Sequence, residues 1–188
     1  MRRTRPRPDE PIRGTMRFFE VIDRRRSVRA YAKSAVARDQ VERILAAARL
    51  APSAGDLQAY QIVLVERRQT REALAEAAFA QDFVAEAPVV LVFCANPELN
   101  EGKYGRRGAL LYCIQDATIA ACYAQLAATA LGLASCWVGA FDEKRVADAL
   151  GLSAGLRPVA IMPIGHAAES PDRPPRRPLD EIVLPEAS

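Results

Sequence analysis

At 188 residues, half of them hydrophobic, with a formal net charge of +3, the chain has material for one well-filled domain. Arg2, Arg3, Arg5 and Arg7 hold the basic excess and the remainder is nearly balanced, which argues against a dedicated nucleic-acid binder. One histidine, His166, and four cysteines without C-x-x-C spacing argue against a zinc site, so no metal is expected.

Residues 1–14 carry those arginines between Pro6, Pro8 and Pro11 and read as a disordered basic tail. Such a tail is either a solvated extension or a ligand for anionic surfaces. It lacks the apolar segment of a secretory signal. Residues 15–188 read as a single domain. Met16 to Arg25 predicts a short amphipathic helix, with Phe18, Phe19, Val21 and Ile22 on its apolar side. Arg24-Arg25-Arg26-Ser27-Val28-Arg29 follows. The arginines either complement the helix C-terminus or hold a phosphate through forked hydrogen bonds.

Asp39 to Ala51 predicts a second helix, stopped by Pro52. Ser53-Ala54-Gly55-Asp56-Leu57-Gln58 is a small, polar loop, suited equally to a turn and to close approach of backbone amides to a ligand. A strand is expected over Tyr60 to Glu66 and a helix over Gln69 to Phe79. Ala87 to Ala95 is apolar throughout, as in a strand covered on both faces. Asn96 to Arg107 reads as a polar surface loop or lid.

Leu110 to Trp137 contains one charge, Asp116. The stretch is long enough to span a membrane or to form a buried helix. Its recurring Gln115, Asp116, Thr118, Gln125 and Thr129 favour burial, since each would need a partner in lipid. No membrane association is expected. Alanines at 117, 120, 121, 124, 127 and 128 make a slim surface for close packing, and Gly132 ends the helix. Ser135 to Gly139 reads as a short buried strand. Asp142 caps a helix through Leu150. Arg157 to Gly165 is another buried strand, and Leu179 to Leu184 an extended arm. Cys94, Cys113, Cys122 and Cys136 each lie in an apolar run, as expected of buried thiols in a reducing cytoplasm. No G-x-G-x-x-G, G-x-x-x-x-G-K-[ST] or G-x-S-x-G motif occurs.

Five stretches in order resemble the nitroreductase family of FMN proteins. They are Arg25 to Arg29, Ala51 to Gln58, Gly132 to Phe141, Pro163 to His166 and Arg176 to Val183. The resemblance covers about residues 16 to 184. It implies an α/β (α+β) three-layer sandwich, a central mixed sheet flanked by helices, in an intertwined homodimer with FMN at the interface. It implies that Arg25, Arg26, Ser27 and Arg29 hold the phosphate and ribityl chain, with Arg177, and Arg176 as its neighbour, as a second clamp. Pro52, Ser53, Ala54, Asp56 and Gln58 would line the flavin ring from the other subunit. Val138, Gly139 and Ala140 would bring backbone to the reactive edge, and Gln81 would reach the flavin. His166 reads as structural, with a phosphate or flavin contact as the alternative. No catalytic side chain is implied, because the flavin does the chemistry. The activity implied is reduction of nitroaromatic, quinone or similar electron-poor small-molecule acceptors by NADH or NADPH in a ping-pong cycle. Desaturation, dehalogenation or flavin modification on the same fold, or a flavin-free binding protein, are the alternatives. The chain departs from the family at Asp56, where Asn is usual, at Tyr60, where Trp or Phe is usual, and at Cys122-Tyr123, where Gln-Asn is frequent.

Overall fold

The computed structural model describes residues 16–186, so the tail expected over residues 1–14 lies outside the described residues. In order come α1 (Phe18–Arg24), α2 (Arg38–Arg49), a 3-10 turn (Ala54–Asp56), β1 (Tyr60–Val65), α3 (Arg68–Ala77), α4 (Phe83–Glu86) and β2 (Val89–Ala95). There follow α5 (Pro97–Arg107), a π turn (Gly108–Tyr112), α6 (Cys113–Ala130), β3 (Ala134–Ser135), α7 (Glu143–Leu150), β4 (Arg157–Gly165) and a last 3-10 turn (Leu179–Glu181).

The strands lie in the order β1-β2-β4-β3. β2 is buried along its whole length, as its unbroken apolar run requires. Its side chains alternate between two layers, because successive residues of a strand point to opposite faces. Val90, Val92 and Cys94 pack with Leu74, Val84 and Val146 of α3, α4 and α7. Leu91 and Phe93 pack with Ile44 and Ala48 of α2 and with Ala120, Ala121 and Ala124 of α6. Helices therefore cover both faces, giving the expected three layers in an α+β fold. The mixed sheet is corrected. All pairs of named strands are antiparallel, and parallel pairing enters through the isolated bridge between Ser27 and Ser135.

Several elements match their sequence signals. α2 buries Val41, Ile44 and Ala48 at helical spacing. Asp142 caps α7, its carboxylate accepting from Arg145 N at 3.0 Å. Gly132, at φ +75°, turns the chain out of α6. Of the α6 alanines, Ala117, Ala120, Ala121, Ala124 and Ala128 are buried and Ala127 is half-buried, which lets the helix lie close on the sheet. Among the described residues no helix is long and apolar enough to cross a membrane.

Other expectations are revised. The stretch from Asn96 to Arg107, expected as a loop, is helical over Pro97–Arg107. Pro97 occupies its first turn, where a missing N–H costs nothing, and Asn100 is fully buried beneath it. Gly102 and Gly105 disguise it, and Gly105 breaks regular geometry at φ +56°. The strand expected over Ser135 to Gly139 shrinks to β3 plus a bridge from Val138 to Ile161. The arm closes into a 3-10 turn where an extended segment was expected. Cys122 is exposed, whereas Cys94, Cys113 and Cys136 are buried. On α1 only Val21 is buried, and Phe18 and Phe19 stand 63% and 81% exposed.

Candidate functional site

The first cluster forms where the chain leaves α1. Val28 is buried and its N–H bonds Ser135 O at 3.1 Å, so the segment is pinned to β3 with Ser27 and Arg29 flanking an inward residue. Tyr31 Oη donates to Val28 O at 2.8 Å. Burial, with Cys136 and Glu169 beside it, holds the Tyr31 phenol well above its ordinary pKa. Residues 171–176 return over this segment. Together they enclose a cavity of about 490 Å³, lined by Arg25, Arg26, Ser27, Arg29, Arg173 and Arg176. Asp172 also lines it, and Arg173 pairs with Asp23 at its edge. Five guanidinium groups against so few carboxylates make a site for a polyanion. A phosphate monoester fits that donor set.

Arg177 does not line this cavity. Its Nε donates to Glu181 Oε2 at 3.1 Å and its Nη2 to Glu181 O at 2.7 Å. Arg173, with Arg176, takes the place that the resemblance gave to Arg177. The signal was in the prolines at 171, 174, 175 and 178. Polyproline II has three residues per turn, so residues 173 and 176 share a side and residue 177 leaves it.

The second cluster is the loop after α2. Gly55, Asp56 and Gln58 have φ values of +60°, +59° and +49°. Left-handed geometry at two residues other than glycine persists only where the surroundings enforce it. Here the enforcement comes from Asp116, which is 2% exposed. Its Oδ1 accepts from Ala54 N at 2.9 Å; its Oδ2 accepts from Ala59 N at 3.4 Å and from Asn100 Nδ2 at 3.0 Å. The one charge of the central stretch thus fastens the loop to α6. Ser53 Oγ closes the loop by accepting from Gln58 N at 2.9 Å. Tyr60 Oη donates to Ala48 O at 3.1 Å, and burial, then Asp116, raises its pKa. The Asp56 side chain is exposed.

Between loop and helix lies a cavity of about 510 Å³, walled by Pro52, Ser53, Ala54, Tyr112, Gln115 and Thr118, together with Asp116, Ile114 and Ile119. Its wall combines apolar side chains with a few polar groups, which suits a flat heteroaromatic ring. It shares no lining residue with the cationic cavity of the same chain.

The third cluster follows β3. Val138 is buried and its N–H donates to Ile161 O at 2.9 Å, while Gly139 and Ala140 emerge at the surface. Gln81 Nε2 donates to Ala140 O at 3.1 Å, so Gln81 supports this turn. His166 accepts from Ala32 N through its backbone carbonyl at 2.9 Å. Burial pushes the Cys94 thiol up to about 11 and raises those of Cys113 and Cys136. These three are inert thiols, not nucleophiles.

A family model described as the nitroreductase family matches residues 22–81 and 76–166. An NADH dehydrogenase of Thermus thermophilus is 37% identical over 188 residues, spanning 86% of this chain and 92% of its own. An oxygen-insensitive NADPH nitroreductase of Salmonella typhimurium is 32% identical over 172 residues, spanning 88% and 72% respectively. Among solved structures, the NADPH:FMN oxidoreductase of Vibrio harveyi complexed with NAD+ superposes at a TM-score of 0.83 with 27% identity. That match spans 91% of this chain and 77% of the other.

Proposed function

The chain belongs to the nitroreductase family, and from that premise we propose that it is an FMN-dependent oxidoreductase that uses NADH or NADPH. The acceptors are nitroaromatics, quinones or similarly electron-poor small molecules. Bound FMN supplies two-electron chemistry that the buried thiols and the single histidine do not. The observation that carries the reading is the cavity where five arginines converge.

Arg25, Arg26, Ser27, Arg29 and Arg176 hold the phosphate and ribityl end, joined by Arg173. Pro52, Ser53, Ala54, Asp56 and Gln58 border the ring, and Val138, Gly139 and Ala140 bring backbone to its reactive edge. Arg177 stands beside Arg176 and contributes charge at longer range. The two cavities have separate linings within one chain, which favours a homodimer in which one copy supplies the phosphate end and the other the ring wall. Donor and acceptor then take turns on one exposed face, a ping-pong cycle. Buried free thiols suit a reducing cytoplasm.

The test is reconstitution with FMN followed by steady-state assays against a nitroaromatic and a quinone panel with each nicotinamide. Parallel double-reciprocal lines and flavin absorbance in the purified protein are expected. Protein that takes up no flavin at excess FMN overturns the reading.

A further inference from the structure

Helix α5 ends against the loop that carries Gly55. A Cβ built on Gly55 would clash with Tyr104 Oη and stand 2.6 Å from Lys103 Nζ, so both side chains lie directly on that turn. Lys103 Nζ is 5.4 Å from the centre of the Tyr104 ring. Tyr104 meets Tyr112 edge-on, 5.2 Å between centres at 77°. Arg107 Nε donates to Tyr112 Oη at 3.0 Å, and its guanidinium carbon sits 5.5 Å from the Tyr112 ring. Tyr112 itself walls the cavity beside Ser53 and Ala54. Two cations and two tyrosines therefore form one row along the rim of the candidate ring site.

What sets this row apart from other exposed cations without an ion pair among the described residues, such as Lys33, Arg49, Arg67, Arg106 and Arg145, is its place on the tyrosines beside the ring site. Arg24, Arg38, Arg68, Lys144, Arg157, Arg173 and Arg177 each sit against a carboxylate. Among the described residues no carboxylate lies within ion-pair distance of Lys103 or Arg107, and both are exposed. A helix C-terminus favours cations, but it has no preference for the side that faces Gly55. Tyrosine faces hold a cation weakly, and beyond the one Arg107 Nε bond to Tyr112 the N–H groups of this pair remain available to a stronger acceptor.

We propose that Lys103 and Arg107 form an anion subsite for the phosphates of the nicotinamide dinucleotide, placed so that the nicotinamide enters the ring site beside the loop. The subsite is distinct from the Arg25–Arg29 cavity, which the cofactor phosphate would occupy. The inference rests on the FMN-dependent reading above. Neither cation touches the reacting atoms; both act on donor binding.

The experiment uses the reconstituted holoenzyme of the full chain and the double variant Lys103→Gln/Arg107→Gln. Glutamine at 107 can still donate to Tyr112, so the rim keeps a partner for the phenol. FMN content and affinity are measured first. A parent that holds no flavin overturns the functional reading, not this subsite. With flavin retained, the KM for NADPH and NADH is expected to rise roughly 5- to 30-fold, as for the loss of two exposed charge contacts. The KM for 1-benzyl-1,4-dihydronicotinamide, a neutral donor without phosphate, is expected to move less than about twofold. Calorimetric titration of NADP+ is expected to weaken in parallel, and the parent's affinity to fall with added salt more steeply than the variant's. Unchanged dinucleotide KM overturns the proposal. So does an equal rise for the neutral donor, and so does a rise confined to an anionic acceptor such as 4-nitrobenzoate.

Discussion

Arg176 lines the cationic cavity, while Arg177, one residue on, directs its guanidinium to Glu181. Adjacent residues thus carry different loads. Arg26→Ala and Arg176→Ala are each expected to weaken FMN binding by roughly 1.5–3 kcal/mol, the loss of a charge-assisted phosphate contact, or one to two decades. Arg177→Ala is expected to cost under about 1 kcal/mol, as for an exposed pair. Fluorescence titration of FMN separates them, and equal losses at 176 and 177 would refute the assignment. Asp116 acts differently, through the loop it fastens. In Asp116→Asn the amide can offer one acceptor, and its NH₂ then faces the Ala54 N–H or the Asn100 amide. About 2–3 kcal/mol of unfolding free energy should be lost, with FMN affinity falling as the loop loosens. Urea unfolding matching the parent would show the network to be dispensable. The sequence marked Asp116 as a charge in need of partners. It did not say which, because Ala54, Ala59 and Asn100 meet it only after folding.

At the scale of elements, α7 is tied to β4 by a forked pair. Arg157 Nε and Nη2 donate to the two carboxylate oxygens of Glu143 at 2.9 and 2.8 Å. The hydrogen bond from Arg157 is the chief cause that lowers the Glu143 pKa. A carboxylate depressed in the folded state adds stability above its unfolded pKa, and that share is lost as pH falls through the folded pKa. Glu143→Gln should therefore cost up to about 1 kcal/mol at neutral pH and almost nothing near pH ~3. Urea midpoints at the two pH values decide; a gap that widens in acid contradicts the pairing. Where period and capping agree, elements were legible: α2, α7, β2 and β4 stand close to their expected bounds. α5 was hidden, because its anchor is a buried asparagine, which no apolar spacing can reveal. Strand direction was hidden too. A strand covered on both faces is apolar throughout whether its neighbours run with it or against it.

For the whole molecule, one protomer leaves much apolar surface uncovered. Phe18, Phe19, Leu110 and Tyr123 are 63%, 81%, 57% and 40% exposed. α1 packs on α6, and Cys122 and Tyr123 stand on the outer side of α6. Monomers seldom leave much large apolar surface open, so a second copy is expected to cover these residues, with well over ~2,000 Å² buried in total. Tyr123→Arg should leave the protomer core intact and lower the dimer fraction in sedimentation at micromolar concentration. A parent that sediments as a monomer would defeat the dimer, and with it the separation of phosphate and ring sites between copies. The proline-spaced arm over the cationic cavity has a further consequence, in its susceptibility to trypsin. Arg173 and Arg177 are each followed by proline, at 174 and 178, a bond that trypsin does not cut; Arg176 is not. The exposed arm thus offers one scissile bond, Arg176–Arg177. A phosphate drawing Arg176 into the cavity would shield that bond. Loss of the last twelve residues, timed by mass spectrometry with and without FMN, would therefore report how fully the cavity is filled, without any assay of turnover.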